Sequence, residues 1–299
     1  MKNILERRGV FHCISITATV LGLVLAGHSD AGSATPDQIE RGRYLANHVA
    51  NCMNCHSERN WAFYAGPIVP GTEGKGAKLD YLGLDLYSAN ITPAGIGDWT
   101  DKEVFRALTE GVGKRGTPVH SFLPNEEYGH MAADDVTAVV AYLRTLPAIP
   151  NAVPKPAAAA GKKAKARPYK PQPRPNPSDT VALGKYLVTL SDCQFCHTES
   201  FGGGRTFQIP TREPIVSLNI SPAAGTSTGG KPRDSFIGRF KAFASDGARK
   251  LRAPAGNPST VMPWTDLARM SEEDLGAIYD YLRTVKPVPT SAPPAAPGK

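Results

Sequence analysis

The chain has 299 residues, 41% apolar and 20% charged, enough for one large domain or two ordinary ones. Its 29 Gly and 27 Pro make up nearly a fifth of the chain, well above the roughly 12% of average usage, so long irregular stretches must interrupt the helices and a pure helical bundle is excluded. The formal net charge is +7, and Pro147 to Ser178 alone carries seven basic and no acidic residues, so the basic excess is a local feature of that segment, read first as a solvated spacer.

In chain order, Lys2, Arg7 and Arg8 precede an apolar run from Val10 to Ala26, followed by Ser29, Ala31 and Ala34. This is the pattern of a secretory signal over 1–31, with an uncleaved N-terminal anchor as the alternative reading. Either way the folded part is exported, and with no second long apolar run a polytopic membrane protein is excluded. Thr35, Pro36 and Gln38 form a capping pattern that opens a helix running toward Cys52. Thr100 and Glu103 open another, with Trp99 and Val104 as its hydrophobic staple and Gly111 as its stop. Leu143 and Leu146 close the apolar stripe of a last helix in this half. Residues 148–178 are rich in Pro, Ala, Lys and Arg and read as a disordered, solvated linker. Tyr169 is its only aromatic residue, so nothing supports a nucleic-acid site, while the positive charge leaves peripheral attachment to an anionic membrane open. Ser271 starts a final helix stapled by Met270 and Leu275, with Leu275, Ile278, Tyr279 and Leu282 on one face. Residues 289–299 read as a disordered tail.

The two halves repeat one another at an offset of about 140 residues, a scale that means tandem domains and not a solenoid. Gly42-Arg43-Tyr44-Leu45 matches Gly184-Lys185-Tyr186-Leu187, and Asn90-Ile91-Thr92-Pro93 matches Asn219-Ile220-Ser221-Pro222. Tyr142-Leu143-Arg144-Thr145 matches Tyr281-Leu282-Arg283-Thr284. Between these lies the most informative pair, Cys52-Met53-Asn54-Cys55-His56 and Cys193-Gln194-Phe195-Cys196-His197. The fifth cysteine, Cys13, leaves with the signal, so no mature thiol stands outside the two motifs.

An even cysteine count in an exported protein ordinarily suggests disulfides, but here a histidine follows each pair. Cys-x-x-Cys-His sets two thiols one helical turn apart, able to add to the two vinyl groups on one edge of a haem while the imidazole reaches the iron. A thioredoxin-like pair does not require that histidine, and a four-cysteine zinc site would have to bridge two domains. The spacing therefore predicts two covalently attached haem c groups, on Cys52, Cys55, Cys193 and Cys196, with His56 and His197 as proximal ligands.

On these motifs the chain resembles the class I c-type cytochromes, in particular the multi-haem cytochrome c subunits of periplasmic alcohol- and gluconate-type dehydrogenases. Gly95-Ile96-Gly97-Asp98-Trp99 and Met262-Pro263-Trp264 add to the resemblance. It implies a mostly α fold of two tandem cytochrome c-like domains, at 35–147 and 179–288. In each, the first and last helices cross beside the haem, Gly42 and Gly184 permitting close approach to Tyr142 and Tyr281. It also implies Met262, 65 residues after His197, as the distal ligand of the second haem. In the first domain the aligned residue is Leu123, which cannot ligate iron. Met131 is the candidate there, although it aligns with Met270 and fits a staple against Val136 equally well; His120 and His130 are the further candidates. Asn90 and Asn219 stand where amides could bond haem propionates or form an ordinary turn, and Trp99 and Trp264 read as packing aromatics.

The implied function is periplasmic transfer of single electrons between a dehydrogenase and a respiratory acceptor, such as a terminal oxidase or another cytochrome, with no catalytic residues of its own. The alternative is a dihaem redox enzyme of peroxidase or thiosulfate-oxidising type, with an open or exchangeable site in the first domain.

Overall fold

Capping residues set where the first helix begins: the Thr35 hydroxyl accepts from the Gln38 amide at 3.2 Å and Pro36 occupies the first turn of α1, Pro36–Tyr44. The helix continues as a π turn over Leu45–Val49, whose Leu45, Ala46 and Val49 are buried, and stops at Asn51, which is left-handed at φ 55°. The structure, a computed structural model, describes residues 34–82, 85–120, 122–154, 164–209, 213–252 and 260–290. The expected signal segment and residues 291–299 of the expected tail lie outside the described residues.

The first half continues with α2 (Cys52–His56), α3 (Pro93–Ile96), α4 (Asp101–Glu110), α5 (Asn125–Tyr128) and α6 (Ala133–Thr145). In α4 both arms of the predicted capping box form, and Gly111 closes the helix at φ 70°. The second half has α7 (Thr180–Leu190), α8 (Cys193–His197), α9 (Arg233–Lys241), α10 (Trp264–Leu267) and α11 (Glu272–Leu282). Its two short strands, β1 (Thr206–Phe207) and β2 (Ile215–Val216), pair antiparallel, Thr206 facing Val216. Among the described residues this is the only sheet; the chain is mostly helical. None of these helices is long and apolar enough to cross a membrane.

In each half the first helix crosses the last, α1 on α6 and α7 on α11. The crossing is possible because a glycine sits at its centre. A β-carbon on Gly42 would collide with the Ala138 carbonyl and stand 2.8 Å from the Tyr142 β-carbon; on Gly184 it would collide with the Ala277 carbonyl and stand 2.8 Å from that of Tyr281. Ser271 caps α11 through the Asp274 amide at 3.0 Å, and Met270 and Leu275 are both fully buried in the core beneath it.

The halves share that core: Leu45, Val49 and Val139 of the first belong to the same cluster as Leu187, Leu190 and Leu275 of the second. Two reciprocal contacts clasp them. Tyr44 donates to Asp274 (2.5 Å) and accepts from the Ser271 amide (3.1 Å); Tyr186, its repeat equivalent, donates to Asp135 (2.7 Å) and accepts from the Ala132 amide (3.1 Å). Each tyrosine of a first helix thus caps the last helix of the other half, an arrangement with approximate two-fold character. Tyr64 stacked on Phe243, which stacks on Trp264, extends the same interface.

The expectation of a disordered spacer over 148–178 needs correction in its described parts, 148–154 and 164–178. Asn151 donates to the Lys75 carbonyl, and the amides of Ala164, Arg167, Lys170 and Gln172 donate to carbonyls of Gly116, Glu110, Gly129 and His130. Tyr169 packs edge-on against Phe105 at 5.2 Å and donates to the Met131 carbonyl. The segment is a strap laid on the first half. Proline withholds donors only at its own positions, and the residues between prolines supply the bonds. Residues 155–163 lie outside the described residues.

Candidate functional site

Both Cys-x-x-Cys-His motifs adopt the same local structure, for the same reason. A left-handed residue, Asn51 at φ 55° or Asp192 at φ 47°, breaks the preceding helix and starts a five-residue helix that carries the two cysteines one turn apart. Asn and Asp tolerate this conformation better than other side chains with a β-carbon. The four thiols are free and partly buried. Burial pushes those of Cys52, Cys193 and Cys196 up to about 12, and that of Cys55 upward as well. Thiols held protonated in this way lack the lowered pKa of a reactive redox pair. Among the described residues, no group of three or more His, Cys, Asp or Glu side chains gathers to hold a metal ion.

The two histidines are oriented alike. His56 Nδ1 lies 2.7 Å from the Ala89 carbonyl, and His197 Nδ1 lies 2.7 Å from the Leu218 carbonyl. A carbonyl only accepts, so each Nδ1 carries the proton and each Nε2 presents a lone pair. Burial depresses both imidazole pKa values and keeps the rings neutral. A neutral imidazole with its far nitrogen pinned to a backbone oxygen is how proteins present an axial ligand to iron. The residues present therefore fit a covalently held haem in each half.

The carbonyls that pin the histidines belong to the residues just before Asn90 and Asn219. This explains the repeated Asn-Ile-Thr/Ser-Pro segment better than propionate binding does. Asn90 Oδ1 accepts from the Thr92 amide (3.0 Å) while Nδ2 donates to the Ile149 carbonyl (2.8 Å). Asn219 does the same with Ser221 (2.9 Å) and Val288 (2.8 Å). Each asparagine locks the loop that faces its histidine to the chain leaving the last helix. The repeat of the four residues signalled importance, but nothing in it revealed that the preceding carbonyl is the working atom.

The candidate distal ligands fall in different surroundings. Met262 is partly buried against the core just before α10, as is Leu123, its counterpart before α5. Met131 is buried at the entry to α6 in the same cluster as Val136, matching Met270 at the entry to α11. His120 is exposed, stacks on Phe122 and accepts from its amide; His130 Nδ1 lies 3.3 Å from the Lys170 carbonyl of the strap. Trp264 packs among Phe240 and Phe243, and Trp99 lies against the core.

A second apolar cluster joins the two motifs. Leu79, Tyr81 and Leu86 of the first half pack with Phe207, Ile209 and Val261 of the second, and Cys55, Phe195 and Cys196 border them. Tyr81 reaches the Cys55 sulfur at 3.5 Å.

Comparison with known proteins agrees with this chemistry. No protein-family model matches the chain. The gluconate 2-dehydrogenase cytochrome c subunit of Pantoea cypripedii is 27% identical over 91% of this chain and 65% of its own length. The cytochrome c subunit of the quinone alcohol dehydrogenase of Gluconobacter oxydans is 27% identical over 91% of this chain and 60% of its own length. A diheme cytochrome c-type protein of Cereibacter sphaeroides is 30% identical over 40% of this chain and 38% of its own length. The chain thus resembles the cytochrome c subunits of gluconate and alcohol dehydrogenases along most of its length, and spans somewhat under two thirds of theirs.

Proposed function

We propose that the chain is an exported dihaem cytochrome c that accepts single electrons from a partner dehydrogenase and passes them to a respiratory acceptor in the periplasm. One observation carries this reading: two Cys-x-x-Cys-His helices, each with its histidine kept neutral by burial and oriented by a backbone carbonyl so that Nε2 presents its lone pair. Cys52 and Cys55 hold one haem c and Cys193 and Cys196 the other; His56 and His197 are the proximal ligands. The bound haem supplies a reversible one-electron iron couple, and the chain supplies attachment, burial, axial ligation and a surface for partners. The repeated halves, 35–147 and 179–288, are two cytochrome domains that have come to share a core. The similarity to dehydrogenase cytochrome c subunits supports a dehydrogenase as the electron donor.

Met262 is the distal ligand in the second half. In the first half, with Leu123 at the equivalent position, Met131 is the thioether candidate and His120 and His130 the imidazole ones. Thioether ligation raises a haem potential relative to a second imidazole, so unequal ligands order the two sites from donor to acceptor. The alternative of a redox enzyme rests on Leu123, which stands where the second half has Met262.

The test is expression in a host that matures c-type cytochromes. The expected product retains its pigment through acid–acetone extraction, holds two haems per chain and is reduced by a quinone-type dehydrogenase. Extractable or absent pigment refutes attachment. Rapid binding of cyanide or peroxide at half of the haem refutes the carrier in favour of the enzyme.

A further inference from the structure

Arg59 stands three residues after His56 and has no counterpart in the second repeat, where the matching position is Ser200. Its guanidinium is fixed on every side. Nε donates to the Gly66 carbonyl (2.7 Å), Nη1 to Asn54 Oδ1 (2.9 Å) and Nη2 to the Ala65 carbonyl (2.5 Å). It lies 4.4 Å from the centre of the Trp61 ring and 5.3 Å from that of Tyr81, the residue whose hydroxyl touches the Cys55 sulfur. Asn54, the residue before Cys55, in turn donates to Asp266 of the second half (3.3 Å). The charge therefore sits at the edge of the shared cluster that Cys55 and Cys196 both border.

We propose that Arg59 is an electrostatic positioning residue common to both haem sites, a fixed positive charge at the junction of the halves that raises the reduction potential of each. The inference rests on the reading that both motifs carry haem. A positive charge in a poorly solvated place stabilises the state with the extra electron, so ferrous iron gains over ferric at whichever centre feels it. The two rings it lies over, Trp61 and Tyr81, belong to or border the one apolar cluster that Cys55 and Cys196 both border, which brings the charge near both attachment points. Asp266, which accepts from Asn54, also faces Arg249 at 3.4 Å, so this carboxylate is shared and does not belong to Arg59 alone. Arg59 is held by carbonyls and an amide and not by a carboxylate, so its own bonds leave the charge unneutralised.

The experiment uses the full-length holoprotein with Arg59→Gln, Arg59→Met and Arg59→Lys, titrated electrochemically after confirming two non-extractable haems. Removal of the charge is expected to shift the ferric/ferrous ratio about tenfold toward ferric at each haem, 59 mV lower for a one-electron couple. Arg59→Lys keeps the charge and is expected to hold both potentials near those of the unaltered protein. Two unchanged potentials in a charge-free variant with both haems attached, or a fall at one haem only, overturn the shared role while leaving the proposed function intact. If neither charge-free variant accumulates as holoprotein although Arg59→Lys does, Arg59 is a structural residue and the proposal is likewise overturned. Pigment that extracts from the unaltered protein removes both the function and this inference.

Discussion

Replacing Asp135 by alanine tests how the halves are held together. Its carboxylate is fully buried and accepts four hydrogen bonds: two from Arg41 at 2.9 Å, one from Arg174 of the strap at 2.5 Å and one from Tyr186 at 2.7 Å. Asp135→Ala leaves Arg41 and the Tyr186 hydroxyl without this acceptor, while Arg174 keeps its pair with Asp134 at 2.8 Å. Breaking a buried ion pair from one side costs about 3–5 kcal/mol. Arg41 and Arg174 are partly exposed and recover some hydration, which places the loss near the lower bound, about 3 kcal/mol. For a fold of this size that is a fall of about 6–12 °C in Tm. The increment also carries a pH signature. Burial alone would raise the Asp135 pKa, but Arg41, Tyr186 and Arg174 together hold it below its ordinary 3.8. A depressed carboxyl pKa stabilises the fold above the unfolded value and ceases to do so as pH falls through the folded one. Urea unfolding of the holoprotein at pH 7 and in acid should therefore show the unaltered and Asp135→Ala curves well separated at neutrality and converging below pH 3.8. A neutral-pH loss under about 1 kcal/mol, the worth of an exposed pair, or a gap that persists in acid, refutes the account of Asp135 as the ionised centre of the clasp.

Three further outcomes follow from the same geometry. Gly184→Ala, and equally Gly42→Ala, forces the crossed helices apart at a backbone carbonyl and should cost about 1–3 kcal/mol in denaturant unfolding; a neutral effect would mean that the crossing is looser than described. Burial, followed by repulsion from Glu127, pushes Asp192 up to about 7, so the folded state keeps a proton that the unfolded chain loses and stability falls as pH rises from about 4 to about 7. Asp192→Asn, which copies Asn51 of the first repeat, should be more stable than the unaltered protein at pH 8, with the gap closing toward pH 4; parallel profiles would show that Asp192 does not titrate this way. Finally, Met262→Ala should abolish a methionine–iron charge-transfer band in the ferric spectrum, and Met131→Ala should leave that band in place; an unchanged spectrum after Met262→Ala removes it as a ligand.

The parts of the fold legible in the sequence were those encoded by local chemistry. Capping at Thr35, Thr100 and Ser271 needs only a hydroxyl and the next turn of the same helix, so residues a few positions apart reveal it. The crossing at Gly42 and Gly184 was readable because the repeat showed the same small residue twice against the same Tyr-Leu-Arg-Thr segment. The strap was not readable. Its Pro- and Lys-rich composition matches that of a free linker, and its bonds run from main-chain amides to carbonyls, which leave no trace in residue identity. The histidine-pinning carbonyls of Ala89 and Leu218 were hidden for the same reason. Arg59 was missed because its importance comes from Tyr81, Asn54 and the second half of the chain, all brought to it only by folding.

The positions that repeat and those that differ have separate physical roles. Gly42 and Gly184, Tyr44 and Tyr186, Asn90 and Asn219, and both Cys-x-x-Cys-His helices set backbone approach, the reciprocal clasp, the histidine-facing loop and the attachment points. Changing any of these would disturb assembly. Arg41 faces Leu183 in the alignment of the halves, Asn51 faces Asp192, Arg59 faces Ser200 and Leu123 faces Met262. These pairs differ in charge or in capacity to ligate, and each lies in or beside the junction or the core bordering an attachment site. Under the proposed function, two haem sites built on the same frame with unequal ligands would differ in potential even with identical attachment. A symmetric pair would give an electron no preferred direction between them, so on that proposal the departures from repetition, more than the repetition itself, would set the direction of transfer.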